Sequence, residues 1–136
     1  MTLEKIDESL PNGLHDAMLL GLEIDYVHQF AVFKTNVLVG SPDEPVGIRD
    51  RYRLGALTFS GLVFIVIDPP AANSAFLQPG AETFSWSRLE AAESPQLAEL
   101  VPSDPNMQAY SLYVLSWYSS IHLAARDVTF VWSEPG

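Results

Sequence analysis

The sequence contains no cysteine. This absence excludes disulfides, thiolate nucleophiles and cysteine-ligated metal sites. Histidine is also scarce, since His15, His28 and His122 are the only three in the chain. Three histidines offer few ligands for a histidine-based metal site, so we predict no metal and no other cofactor.

Motifs of common enzymes are absent as well. The chain has no glycine-rich phosphate loop, no dinucleotide-binding fingerprint and no Gly-x-Ser-x-Gly pattern around a serine. We therefore assign no catalytic residue, and the sequence favours a non-enzymatic protein.

Long hydrophobic runs are missing. The longest strongly apolar stretch, 54–67, is shorter than the roughly 20 residues of a membrane-spanning helix. The first eight residues lack the basic and apolar regions of a secretory signal. We expect no membrane partner and a cytoplasmic location.

Basic residues are few in comparison with acidic ones. Seven basic residues face 17 acidic ones, which gives a formal net charge of −10. Nucleic-acid binding relies on lysine and arginine, so this balance argues against a nucleic-acid partner. The same charge keeps a small protein in solution and would steer a basic partner towards it.

What is present is a strong β pattern in a chain of single-domain length, 1–136. Apolar residues alternate over 18–26, with Leu19 as an exception on the polar face, and again over 31–39. This spacing predicts two half-buried strands in a hairpin. The run 52–67 becomes apolar on both faces, so it predicts a central strand covered on both sides. Gly61 within this run predicts a bulge or a close approach of another backbone segment.

The second half is less regular. Residues 88–100 carry helix formers interrupted by Ser94-Pro95, which predicts one short helix or two helical turns. Alternation returns from Ile121 to Trp132, after an aromatic and apolar run over 110–118. We predict a mainly β domain: an antiparallel sandwich or a strongly curved sheet of about six strands, with one short helix.

Three arginines lie within five positions, at Arg49, Arg51 and Arg53. In an extended segment they project from one face. Guanidinium groups bind carboxylates and phosphates in a bidentate manner, so the cluster is a candidate site for a small anion. The alternative is pairing with nearby acidic residues such as Asp43, Glu44 or Glu23.

The pair His15-Asp16 precedes the first strand, and His122 lies in a late one. If the first and last strands are neighbours, His15, His122 and Asp127 form an acid–base or metal-binding cluster. The alternative is that these side chains hydrogen-bond to local backbone. We keep His15, Asp16 and His122 as candidate ligand-binding residues.

Aromatic residues are concentrated near the carboxyl end. At strand spacing such residues form a core, a ligand groove or a dimer interface. The set comprises Tyr110, Tyr113, Trp117, Tyr118 and Trp132.

The segment 10–17, LPNGLHDA, followed by the strand residues Ile24-Asp25-Tyr26, resembles a group of uncharacterised small bacterial proteins. The similarity continues through Tyr52-Arg53, 59–62, 67–70, Ser116-Trp117, Ile121-His122 and Ala124-Ala125. The histidine–aspartate–alanine sequence before an alternating strand is also similar to small immunity proteins of bacterial toxin systems. That resemblance implies an acidic protein that neutralises a toxin by binding it.

Three functions are therefore considered. The first is a non-enzymatic protein-binding domain, immunity-like, with a basic partner whose binding weakens with salt. The second is a small-anion or small-molecule binding protein, or an enzyme, with a pocket that uses Arg49, Arg51 and Arg53. The third is a structural homodimer.

Overall fold

Seven strands and four short helical segments make up the computed structural model, which describes residues 1–70 and 82–133. In chain order they are α1 (Leu3–Ser9), β1 (Pro11–Leu14), β2 (Met18–Asp25), β3 (Phe30–Leu38), α2 (Val46–Arg49), β4 (Tyr52–Ile67), β5 (Glu82–Arg88), α3 (Pro95–Ala98), β6 (Gln108–Val114), a 3-10 helix (Leu115–Trp117) and β7 (Ser119–Trp132).

Six of the strands form one antiparallel sheet that closes into a barrel in the order β2-β3-β4-β7-β6-β5. The mainly β prediction is confirmed. Of the two predicted arrangements, the curved sheet is the one found, with its curvature carried to closure. A closed barrel has no exposed strand edge, and its inward side chains fill the interior.

The interior is built from alternate residues of every strand. Phe33, Leu57, Phe59, Tyr110 and Leu123 are all fully buried. Phe33 and Phe59 meet edge to face, with ring centroids 5.4 Å apart. Aromatic pairs of this geometry add about 1 kcal/mol beyond the area that they bury.

One end of the barrel is closed by α1. Thr2 caps this helix, because its side chain accepts a hydrogen bond from the backbone N–H of Lys5. Leu3 and Ile6 are buried in the barrel core. Each such side chain contributes about 2 kcal/mol by leaving water. The helix was not predicted from the sequence, since seven residues carry too short a pattern.

Tyr110 fixes α1 to the barrel from inside. Its hydroxyl accepts the backbone N–H of Leu3 at 3.1 Å and donates to Oε1 of Gln108 at 3.0 Å. Burial raises the pKa of the Tyr110 phenol, so the group stays a neutral hydroxyl that can serve both partners. Glu4 on the helix also pairs with Arg88 at the end of β5.

Two predictions about strand faces need correction. The register of β2 against β3 shifts between Leu19 and Gly21. Leu19 therefore packs against the core, whereas Leu20 is 47% exposed. At Gly61, whose φ is +60°, a Cβ atom would lie 2.9 Å from Cβ of Arg126, so the close approach predicted there is found. The β4–β7 register shifts between Leu62 and Phe64 rather than at Gly61 itself. However, β4 is not covered on both sides, because Val63 and Val66 are exposed.

The predicted helical region 88–100 begins with Arg88, the last residue of β5, and contains the four-residue helix α3. The alternating residues from Ile121 to Trp132 belong to one continuous strand, β7. None of the helices within 1–70 and 82–133 is long and apolar enough to cross a membrane.

The close approach of β4 and β7 at Gly55 gives a first prediction. A Cβ atom at Gly55 would lie 2.3 Å from Cζ of Phe130, whereas one at Gly47 in α2 meets no atom within 4 Å. Gly55→Ala should therefore lower the free energy of unfolding by about 1–3 kcal/mol. Gly47→Ala should leave it unchanged or raise it by up to about 1 kcal/mol.

Urea unfolding followed by circular dichroism measures both variants. Equal stabilities for Gly55→Ala and Gly47→Ala would contradict the packing described for the barrel.

Candidate functional site

The end of the barrel opposite α1 contains an apolar pocket of about 640 Å³. It lies where β2 and β4 end and where β5 and β7 begin. Its described lining residues are Leu19, Leu20, Gly21, Leu22, Ile24, Tyr26, Ile67, Asp68, Pro70, Glu82, Val114, Trp117 and Ile121. Ligand sites of 300–1,000 Å³ are common in the mouths of β-barrels, so the volume suits a small molecule.

The pocket lies beside the pairing of β2 with β5. Among the described residues, these strands pair through Met18–Thr83 and Leu19–Glu82. Within the described residues, β2 has no strand partner on that side beyond Leu19. The inward side chains of Leu22 and Ile24 therefore face the pocket, across from Val114 and Ile121.

Charge in the pocket is of one sign. Asp68 and Glu82 are acidic, and the described lining residues include no lysine, arginine or histidine. An apolar wall with two carboxylates at its edge disfavours an anionic ligand. It suits a molecule with an apolar body and a neutral or cationic polar group.

Asp68 is held firmly at the edge of this pocket. Its backbone N–H donates to the carbonyl of Ser120 at 2.9 Å, and its carbonyl accepts the Ser119 hydroxyl at 2.7 Å. Its carboxylate contacts Nε2 of His122 at 2.9 Å. The side chain remains 46% exposed, so it can still meet a ligand.

His122 links Asp68 to a serine on the neighbouring strand. Oγ of Ser111 lies 2.7 Å from Nδ1 of His122. One tautomer of a neutral imidazole satisfies both contacts: Nε2–H donates to Asp68, and Nδ1 accepts from the Ser111 hydroxyl. The His122 side chain is only 10% exposed, so this arrangement satisfies both ring nitrogens of a buried histidine.

Serine, histidine and aspartate in a hydrogen-bonded line are also the groups of nucleophilic catalysis. Ser111, however, lies inside β6, with partners Ser87 on β5 and His122 on β7. The backbone N–H groups around it serve the sheet, whereas an acyl-transfer site needs free donors for an oxyanion. The arrangement is better suited to holding β4, β6 and β7 together.

The sequence reasoning missed Ser111 and Asp68. Ser111 lies directly opposite His122 in the β6–β7 hairpin. It can be recognised as a partner of His122 only when the register of these strands is known. Asp68 lies at the strand end before Pro69-Pro70, where a polar side chain at a barrel mouth is a reasonable candidate.

The three arginines are not on one face of an extended segment. Arg49 ends the short helix α2, Arg51 precedes β4 and Arg53 lies in β4. Arg51 and Arg53 line one cleft, whereas Arg49 lines another with His15 and Asp16. The predicted pairing with Asp43, Glu44 or Glu23 is not found among the described residues.

His15 and Asp16 contact each other at 3.3 Å, and both are exposed. They do not meet His122, whose partners are Ser111 and Asp68, or Asp127, whose partner is the amino terminus. No group of three or more metal-binding side chains occurs within 1–70 and 82–133. The predicted cluster of His15, His122 and Asp127 is therefore wrong.

The LPNGLHDA segment instead organises the closed end of the barrel. Asn12 donates to the carbonyls of Leu38 and Gly40 at 3.0 and 2.9 Å. The carboxylate of Asp7 accepts the backbone N–H of Leu14 at 2.7 Å. These bonds hold β1 against α1 and against the connection that follows β3.

The aromatic residues do not share one surface. Tyr110 is in the core, Trp117 lines the apolar pocket, and Trp132 lies at the opposite end of the barrel. Tyr113 and Tyr118 are exposed.

Comparison with known proteins adds no assignment: no family model, curated protein or solved structure matches the chain.

The contact between Ser111 and His122 gives a second prediction. Ser111→Ala removes the donor to a buried ring nitrogen and should lower the free energy of unfolding by about 1–3 kcal/mol. Ser120→Ala is the matched control, because the Ser120 hydroxyl has no hydrogen bond among the described residues; it should change stability by less than about 0.5 kcal/mol. Chemical denaturation of both variants measures the difference, and an unchanged midpoint for Ser111→Ala would refute the role given to this contact.

Proposed function

We propose that this protein is a non-enzymatic binding protein whose ligand occupies the apolar pocket at the end of the barrel opposite α1. The observation that carries the proposal is the pocket itself, about 640 Å³ in volume and lined mainly by aliphatic side chains. Burial of an apolar ligand there is favoured by about 25 cal/mol per Å² of surface removed from water.

The chemistry of the ligand follows from the lining. Leu22, Ile24 and Ile121 supply an aliphatic wall, and Trp117 supplies an aromatic surface. Asp68 and Glu82 at the edge can accept hydrogen bonds or pair with a cation. We infer a small, largely apolar molecule that is neutral or carries one amine.

A neutral fluorescent probe tests the proposal. N-phenyl-1-naphthylamine should bind with a blue-shifted, enhanced emission and saturate at one molecule per chain. Replacing Ile67 and Tyr26 by serine should weaken binding at least about tenfold, because both side chains line the pocket. Their exposed fractions, 51% and 84%, leave the fold largely independent of them.

The control is Val131→Ser. Val131 is 65% exposed but lies towards the other end of the barrel, paired with Ala56. It should bind the probe as the unchanged protein does. The proposal would be refuted if the probe showed no saturable binding. It would also be refuted if the double variant and Val131→Ser lost the same amount of affinity for the probe.

A protein partner is the second candidate, favoured by apolar residues that extend beyond the pocket. Val27 and Tyr118 are 85% and 69% exposed. Both belong to connections between strands at the end of the barrel that contains the pocket. A small ligand would not need them, whereas a protein surface would cover them. With the net charge of −10, a basic partner is the expected chemistry, as for an immunity protein.

A tagged-protein capture at low and high salt examines this candidate. A stoichiometric basic protein should be retained at low salt, released at high salt, and lost when Val27 and Tyr118 are changed to serine. Sedimentation across a range of concentrations identifies the case in which the partner is a second copy. Capture that is unaffected by the two substitutions would count against this surface.

A further inference from the structure

A cleft of about 550 Å³ at the end closed by α1 carries two arginine side chains. Arg51 and Arg53 line it together with Ser9, Tyr52 and Trp132. Both arginines are exposed, and the described lining contains no acidic residue. This cleft is separate from the apolar pocket, since the two lie at opposite ends of β4.

These two arginines have no acidic partner among the described residues. Acidic residues outnumber basic ones by 17 to 7 in this chain. Arg88 and Arg126 each pair with a carboxylate. Within 1–70 and 82–133, neither Arg51 nor Arg53 has a carboxylate oxygen within 4.0 Å. As far as the described residues show, the two guanidinium groups that line this cleft are available for an anion from outside.

One of the two guanidinium groups and the backbone of the other arginine are held by contacts at the cleft. Cζ of Arg53 lies 4.7 Å from the centre of the Trp132 ring, and that ring packs edge-on against Phe130. A guanidinium stacked on a ring keeps its N–H edge free to donate. The backbone carbonyl of Arg51 accepts the N–H groups of Val39 and Gly40 at 2.9 and 3.3 Å, which fixes the start of β4.

We propose that this cleft binds the oxyanion of a small molecule, a phosphate or a carboxylate, between Arg51 and Arg53. Two guanidinium groups can donate several charge-assisted hydrogen bonds to such a group. The overall charge of −10 opposes anions at long range. At physiological salt that field is screened beyond about 8 Å, so contacts inside the cleft decide binding.

The test is a titration with inorganic phosphate, and separately with acetate, followed by ¹H–¹⁵N spectra of the Trp132 indole and the arginine Nε–Hε groups. Signals of Arg51, Arg53 and Trp132 should shift and saturate with at least one of the two anions. A phosphate-only response would identify a phosphate site, and an acetate response would identify a carboxylate site. Sodium chloride at equal ionic strength is the reference.

Arg51→Gln with Arg53→Gln should weaken anion binding at least about tenfold. Lys5→Gln with Lys34→Gln removes the same charge away from the cleft and should change the affinity less than about threefold. The comparison is repeated with Glu134→Gln in both proteins, because this carboxylate lies two positions after Trp132 in the sequence and outside the described residues. Shifts that fail to saturate with both anions, or equal weakening by the two double variants, would overturn the proposal.

Discussion

Closure of the sheet is the constraint on which the rest of the structure depends. The β4 and β7 strands pair along most of their length, from Gly55–Trp132 to Ile67–Ile121. The barrel is completed by the pairing of β2 with β5, in which Met18 and Leu19 meet Thr83 and Glu82 among the described residues. The two ends of the barrel differ. Helix α1 fills one end with Leu3 and Ile6, whereas the described residues of the other end line an apolar pocket.

The hydrogen bonds at the pocket edge follow from the same geometry. Because β4 and β6 both lie beside β7, Asp68 and Ser111 are brought to opposite ring nitrogens of His122. If one nitrogen of the buried imidazole had no hydrogen-bond partner, the free energy of unfolding of the protein would be lower by about 1–3 kcal/mol. Both nitrogens are satisfied here, and the carboxylate of Asp68 is held in place beside the pocket.

Much of the strand pattern could be predicted from the sequence. The predicted run 52–67 has the same bounds as β4, and the close approach predicted at Gly61 is present. In β2 the inward faces of Leu22 and Ile24 agree with the predicted alternation. The faces of Leu19 and Leu20 could not be predicted, because the register shift between Leu19 and Gly21 is not visible in the residue pattern. Strand β5 also escaped prediction, since its seven residues alternate serine with larger side chains among turn signals.

The candidate sites were harder to predict than the strands, because they depend on register and on local turns. Ser111 meets His122 only when β6 and β7 pair as they do. Arg49 separates from Arg51 and Arg53 because Pro45 starts a single helical turn at Val46, which breaks the extended spacing. The LPNGLHDA segment contains the candidate ligand-binding residues His15 and Asp16. In the structure, Asn12 of this segment donates hydrogen bonds to the backbone carbonyls of Leu38 and Gly40.

In the proposed function the ligand lies inside the apolar pocket and not on the outer surface of the barrel. The most direct measurement is of intermolecular nuclear Overhauser effects between bound N-phenyl-1-naphthylamine and the methyl groups of the protein. We expect contacts from the naphthyl protons to Leu22, Ile24 and Ile121, which line the pocket. Contacts confined to outward residues such as Val63 and Val131, or to the side chains around α1, would contradict it.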